Sequence, residues 1–283
     1  MLRDLMILLK PSILLLSVLM AALGIWLAPN TVDWVDASLM LVGTGLIVGS
    51  ANALNMYLER DVDGRMERTK NRPLPTGRMR PAVALVFGST IGLVGTVMLY
   101  LWGNPLTAGL GYFALVSYVL VYTPLKRKTP QALAIGAIPG AMPPLMGWTM
   151  ATGSIDAPGL ALFGILMLWQ LPHFIAITIY RKHDYAAAGF RAVAVVRGEE
   201  NAKWQTLAYG TLLVPLSVLL TPLGATGWIY LVGSLGVSLW FLSTIIRGFR
   251  TMRPAPWARR VFLASLVYLP ALGAVLIVDR LVG

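Results

Sequence analysis

Asn55, Glu59 and Asp63 recur every fourth residue. On a helix that spacing fans three oxygen-bearing side chains across only about 80° of one face. A row of hard oxygen donors at the end of an apolar run suits Mg²⁺, which takes one or two carboxylates and completes its octahedron with waters and phosphate oxygens. Asp61 points about 200° away from Glu59 on the same helix and is a reserve ligand that swings in only if the helix ends near Gly64. Immediately downstream, Arg65, Arg68, Lys70, Arg72 and Arg78 supply the opposite sign. Acid, metal and guanidinium together are what a pyrophosphate needs, because the metal bridges its oxygens while Arg forks pair with them two at a time.

A second cluster lies in residues 169–204, where Tyr180 and Asp184 are four apart and enclose Arg181 and Lys182. A lone carboxylate in a loop is usually only solvated. Two clusters, each following a long apolar helix, can instead face one diphosphate, with Asp184 as a further metal ligand. Lys126, Arg127 and Lys128 between them are candidate anion ligands, although a basic run beside a membrane span needs no function to explain it. His173 lies about two turns inside an apolar helix, where histidine usually faces the bundle interior. It is either a hydrogen-bonded interhelical residue or a ligand beside a bound group. His183 lies in the loop and is expected to be solvated.

These residues need helices long enough to carry them to one end of a bundle. Of the 283 residues 57% are hydrophobic and 12% charged, and the mean hydropathy is +0.72, the composition of a polytopic membrane protein. The absence of cysteine excludes disulfides, thiolate metal sites and a cysteine nucleophile. Apolar segments of membrane length fall at 12–28, 37–58, 81–101, 106–122, 131–150, 158–179, 204–222, 227–246 and 260–279. The expected fold is therefore all-α, with nine transmembrane helices around a central cavity, forming a single domain over 1–283. Threaded alternately, all but Arg280 of the 23 lysines and arginines fall on the side of the N-terminus. The positive-inside rule puts that side, the N-terminus and both polar loops (about 59–80 and 180–203) in the cytoplasm, capping a cavity that opens there. The net charge of +11 is thus accounted for by topology, without nucleic acid.

The first apolar run is longer than a signal-peptide core, and Lys10-Pro11 sits where proline suits the first turn of a helix, so a transmembrane helix is expected there. Pro139, Pro143 and Pro144 must bend or break the fifth helix, around a cavity. Glycines at 43, 45, 49, 136, 140 and 147 favour close helix packing.

Asn55, Glu59 and Asp63 followed by Arg68-Thr69-Lys70-Asn71-Arg72-Pro73-Leu74-Pro75 resemble the first signature of the UbiA-type intramembrane prenyltransferases, N-x-x-x-D-x-x-x-D with a downstream N-R-P-L-P. The second signature of most of that superfamily is D-x-x-x-D, and here its first position is Tyr180. That departure, with Trp169-Gln170-Leu171-Pro172-His173-Phe174 and the run from Pro139 to Trp148, resembles the branch that farnesylates heme. Arg191 to Ala194 depart from that branch, which carries a Pro-Met segment there. The resemblance runs from Lys10 to about Gly198, and the last three helices match only in kind. It implies transfer of farnesyl from farnesyl diphosphate to a vinyl group of heme b, with water added, in the inner membrane of a bacterium. Mg²⁺ would be the cofactor and heme b a substrate, with membrane lipid around it and heme A synthase or terminal oxidase assembly as partners. Asn55, Glu59, Asp63, Tyr180 and Asp184 would be catalytic. Arg68, Lys70, Arg72, Lys126, Arg127, Arg181 and Lys182 would hold diphosphate. Trp169 and His173 would contact substrate, His173 as a candidate axial ligand. Tyr57, Tyr122, Trp169 and Tyr180 are candidates for shielding an allylic cation, although each also suits an interfacial aromatic belt.

Two rivals differ in class. A prenyltransferase acting on an aromatic acid such as 4-hydroxybenzoate would share fold, metal and diphosphate. A secondary transporter would carry ionisable residues near the bilayer midplane, whereas here the acids sit at helix ends.

Overall fold

The computed structural model describes residues 1–250 and 253–282. Among them every regular element is helical. In chain order these are α1 (Leu2–Leu9), α2 (Pro11–Leu27), α3 (Trp34–Asp63), α4 (Pro81–Trp102) and α5 (Pro105–Val116), which runs through a π turn (Ser117–Tyr122) into α6 (Thr123–Leu125). Then follow α7 (Ala132–Gly140), α8 (Met142–Thr152), α9 (Ala157–Tyr180), α10 (Lys182–Ala187), α11 (Val193–Val196), α12 (Glu199–Val218), α13 (Trp228–Ile246) and α14 (Pro254–Val282).

Among the described residues six helices are long and apolar enough to cross a membrane: α3, α4, Pro105–Leu125, α9, α13 and α14. The pair α1 and α2, bent by 50°, makes up to seven. Each of the nine apolar segments expected from the sequence lies mostly on helix, but three fall short individually for different reasons. Alone, α2 has only 17 residues. The fifth segment breaks at Ala141 between α7 and α8, where Pro139, Pro143 and Pro144 withhold backbone donors. The first two turns of α12 carry Glu199, Glu200, Asn201, Lys203 and Gln205, which lower its hydropathy.

Helix α1 was not expected. Pro11 cannot continue it, so the chain turns at Lys10, whose φ of 50° makes it the only non-glycine residue in the left-handed region among those described.

The loops segregate by charge. At one end Arg78 reaches Asp4 at 3.4 Å, Arg127 reaches Asp61 at 2.8 Å, Lys182 reaches Glu199 at 3.0 Å, and the Arg191 amide donates to the Lys126 carbonyl at 2.8 Å. At the other end the Asn30 amide donates to Ala151 O at 3.0 Å and Asn104 to Thr149 O at 2.7 Å. There the Asp279 carboxylate accepts from the Gly227 and Tyr230 amides at 2.7 and 2.9 Å, capping α13 with the end of α14. Asp33, Asn104 and Asp156 likewise cap α3, α5 and α9 with their side chains.

Helices α2 and α8 approach closely because a Cβ on Gly147 would run into the Ala21 carbonyl, and one on Gly24 into that of Pro144. Between α12, α13 and α14 a chain of hydroxyls joins Ser217, Ser238 and Tyr268 at 2.7 and 3.0 Å. Such bonds between helices contribute about 0.6–2 kcal/mol each in an apolar surround. The outer faces are apolar: Val86, Leu93 and Leu120 are each more than 60% exposed, as suits contact with lipid.

Candidate active site

Helix α3 continues without interruption to Asp63, so Asn55, Glu59 and Asp63 fall on one face as their spacing requires, and all three line a cavity of about 550 Å³. Each is buried, and each meets a cation. The Lys10 ammonium donates to Asn55 Oδ1 at 3.5 Å, while Asn55 Nδ2 donates to Thr123 Oγ1 at 3.1 Å. Arg72 Nη1 donates to both Asp63 carboxylate oxygens at 2.8 and 2.7 Å, and Thr69 Oγ1 donates to the Asp63 carbonyl at 2.7 Å. Lys126 Nζ lies 2.9 Å from Glu59 Oε1. Beyond that ion pair Glu59 Oε1 accepts from no second donor, so it is a buried oxygen with acceptor capacity to spare.

The π turn delivers two of these partners. Pro124 has no N–H to return to Leu120, the ring widens, and Thr123 donates through both its amide and its hydroxyl to Tyr118 O. Tyr118 and Tyr122 then line the cavity, and Lys126 lies 4.6 Å from the centre of the Tyr122 ring. Burial opposes the charge on Lys126, but the attraction of Glu59 outweighs it and holds the ammonium above its ordinary value.

The second polar stretch comes to the same cavity. Tyr180, Arg181, Tyr185 and Arg191 line it, with Arg181 placed 5.0 Å over the Tyr180 ring. Burial raises the Tyr185 phenol, keeping it protonated. Val62 and Met66 of the first polar stretch pack with Tyr185, Ala188 and Phe190 of the second, which locks the two loops face to face.

Deeper in, the lining turns apolar and aromatic. The Trp169 and His173 rings stack at 5.0 Å, and Phe262 of α14 covers His173 at 5.0 Å. His173 Nδ1 lies 2.7 Å from Ser265 Oγ.

The structure therefore brings Asn55, Glu59, Asp63, Arg68, Arg72, Lys126, Trp169, His173, Tyr180 and Arg181 to one cavity. Tyr122 apart, the remaining candidates lie off its lining, Arg65, Arg78 and Lys128 among them. Asp61 pairs with Arg127 at 2.8 Å, because α3 does not end early and the 200° offset stands. Lys70 pairs with Glu67 at 2.7 Å and Lys182 with Glu199 at 3.0 Å. Asp184 lies on α10, 3.7 Å from Arg181, which does reach the cavity. Tyr57 also turns away, packing near Leu8 under Arg60. His183 is exposed, as expected.

Sequence reading missed Lys10, Tyr118, Thr123 and Tyr185. The first was legible as a basic residue just before a helix-starting proline. The π turn was signalled only by Pro124.

Among the described residues no three His, Cys, Asp or Glu side chains converge as a ready-made metal cage. The donors present nonetheless fit Mg²⁺: two carboxylates and one amide oxygen, with acceptor capacity to spare on Glu59 Oε1, line a cavity with room for phosphate.

Comparison with known proteins matches this architecture to a family. Residues 15–266 fit the model of the UbiA prenyltransferase family, and the chain belongs to it. Within the family it is 47% identical to the protoheme IX farnesyltransferase of Myxococcus xanthus, over 98% of this chain and 94% of that protein. Among solved structures it resembles that of digeranylgeranylglyceryl phosphate synthase, with a TM-score of 0.83 and 17% identity over 99% of this chain and 98% of the other. It also resembles a UbiA homologue from Archaeoglobus fulgidus bound to DMAPP and Mg²⁺, with a TM-score of 0.72 and 16% identity over 97% and 99% of the two chains.

Proposed function

We propose that this chain transfers a farnesyl group from farnesyl diphosphate to a vinyl group of heme b, with addition of water, giving heme O and diphosphate. The observation that carries the reading is one cavity with two ends: acids and cations at its mouth, and a ring-lined depth holding Trp169, His173 and Phe262. The 47% identity to a protoheme IX farnesyltransferase over nearly the whole chain supports heme as acceptor in preference to an aromatic acid.

In this reading Arg68, Arg72, Lys126 and Arg181 hold the diphosphate, and Lys10 closes the mouth beside Asn55. Asn55, Glu59 and Asp63 would hold Mg²⁺, with Asp184 behind Arg181 as an outer acid. Bound there, the metal supplies positive charge against the leaving diphosphate. The allylic C1–O bond breaks with its electron pair going to diphosphate. The vinyl π electrons form the new bond to C1, and water captures the adjacent carbon and loses a proton. Tyr122, Tyr180 and Trp169 present aromatic faces to the allylic cation and exclude early water. His173 contacts the porphyrin.

The same reading counts nine membrane crossings, with α7 and α8 together forming the fifth and α12 the seventh. It places the N-terminus and the cavity mouth on the cytoplasmic side of a bacterial inner membrane. The segregation of basic loops at one end supports this. Mass spectrometry of heme recovered after incubation with farnesyl diphosphate and Mg²⁺ is the test. Recovery of unmodified heme by active-site-intact protein, with 4-hydroxybenzoate prenylated instead, would replace this reading with the aromatic one.

A further inference from the structure

His173 of α9 and Ser265 of α14 share a 2.7 Å contact between Nδ1 and Oγ, and the protons on that contact can be assigned. Ser265 Oγ also lies 2.6 Å from the Phe262 carbonyl oxygen. Two oxygens at that separation need a proton between them, and the carbonyl has none to give. The single Ser265 proton therefore points at Phe262. Oγ is left to accept, so His173 Nδ1 must donate. A neutral imidazole carries one N–H, and Nε2 keeps its lone pair.

The ring is also held against rotation. Trp169 stacks on it at 5.0 Å with 24° between planes, and Phe262 covers it at 5.0 Å. The Trp169 indole donates to the Ser265 backbone carbonyl at 2.9 Å, so one residue of α14 fixes both rings of α9. His173 lines the cavity, and Nε2 has no hydrogen-bond partner among the described residues.

We infer that Ser265 is a positioning residue that locks His173 as the Nδ1–H tautomer, so that Nε2 presents a lone pair to the cavity as axial donor to heme iron. A histidine that ligates metal through one nitrogen is commonly oriented by a hydrogen bond from the other. The axial role rests on heme being the acceptor; the tautomer does not.

The chain has only two histidines, His173 and His183, which makes the tautomer directly readable. In full-length protein carrying ¹⁵N-labelled histidine, with His183→Gln to assign the signals, His173 should show a protonated Nδ1 and a bare Nε2. Ser265→Ala should give mixed tautomers and Ser265→Thr should restore the single form. An Nε2–H or doubly protonated His173 in the unaltered protein overturns the assignment. Titration with ferric heme tests the axial role separately. The unaltered protein should give the absorption spectrum of histidine-ligated iron, and His173→Ala should lose it. Ser265→Ala should weaken binding about 10- to 100-fold, with recovery in Ser265→Thr. If heme binds and His173→Ala leaves the spectrum unchanged, the axial role is wrong. If the unaltered protein binds no heme, the heme reading falls with it and the tautomer is judged by the nitrogen spectra alone.

Discussion

Glu59 of α3 and Lys126, which follows α6, lie 2.9 Å apart at the mouth of the cavity, and Asp63 and Arg72 repeat the relationship at 2.7 Å. Each acid that would hold the metal is thus neutralised by a cation that would hold the diphosphate. Binding of either partner releases what the other needs. Mg²⁺ should therefore raise the affinity for a non-reactive farnesyl diphosphate analogue about tenfold or more, and the analogue should raise the affinity for Mg²⁺ by the same factor. Calorimetric titrations in both orders check the reciprocity. Independent binding would contradict it.

Asp63 lines the cavity but is not a solvated side chain. It is 2% exposed and held by Arg72. Asp63→Asn should lower kcat about 10²- to 10³-fold, the scale of losing one preorganised electrostatic group. Asp63→Ala should also leave the Arg72 guanidinium without its partner, at about 1–3 kcal/mol. Thermal denaturation in detergent should separate the two variants.

Lys126 gives a pH signature. Its pKa is raised in the folded protein, so its stabilising contribution is complete below the ordinary lysine value of about 10.4 and is lost only as pH climbs through the higher folded value. The melting-temperature gap between the unaltered protein and Lys126→Met should be constant from neutral pH to about 10 and shrink above it. A gap that closes near pH 8 would mean that Glu59 does not sustain the charge.

Asp61 and Arg127 are exposed and paired with each other off the cavity lining. Replacing either by Ala should cost at most about 1 kcal/mol and leave turnover within about twofold. Steady-state kinetics of Asp61→Ala with varied Mg²⁺ would reveal any ligand role as a raised metal requirement.

Gly147→Ala should cost about 1–3 kcal/mol, because the added methyl meets the backbone of α2, which cannot move aside as a side chain can. Gly153→Ala, with open space around its Cβ but a φ of +70°, tests strain without crowding. Comparison of their melting temperatures separates the two mechanisms.

The mouth of the cavity was legible in the sequence because helical spacing alone decides which of Asn55, Glu59, Asp61 and Asp63 share a face. The break in the fifth helix was legible because proline acts on the backbone locally. Thr123 and Tyr118 were harder to foresee, since a π turn changes the direction of side chains that regular helix geometry assigns elsewhere. Ser265 and Phe262 were out of reach: they lie on α14, where the family motifs had ended, and only tertiary packing sets them against His173. The number of crossings shows the same division. Hydropathy finds long apolar runs, whereas α7 and α8 are short, and their pairing is known only once the bundle is assembled.

The widened ring at Ser117–Tyr122 has a consequence for insertions and deletions. Deleting one residue there and closing the ring to ordinary pitch would keep the phase, but rewinding the stretch at unchanged length would turn everything beyond it by about 100°. Thr123 would swing off Asn55 and Lys126 off Glu59 in one motion. The phase of a six-residue segment, more than the identity of any side chain in it, decides whether the third face of the mouth is cationic.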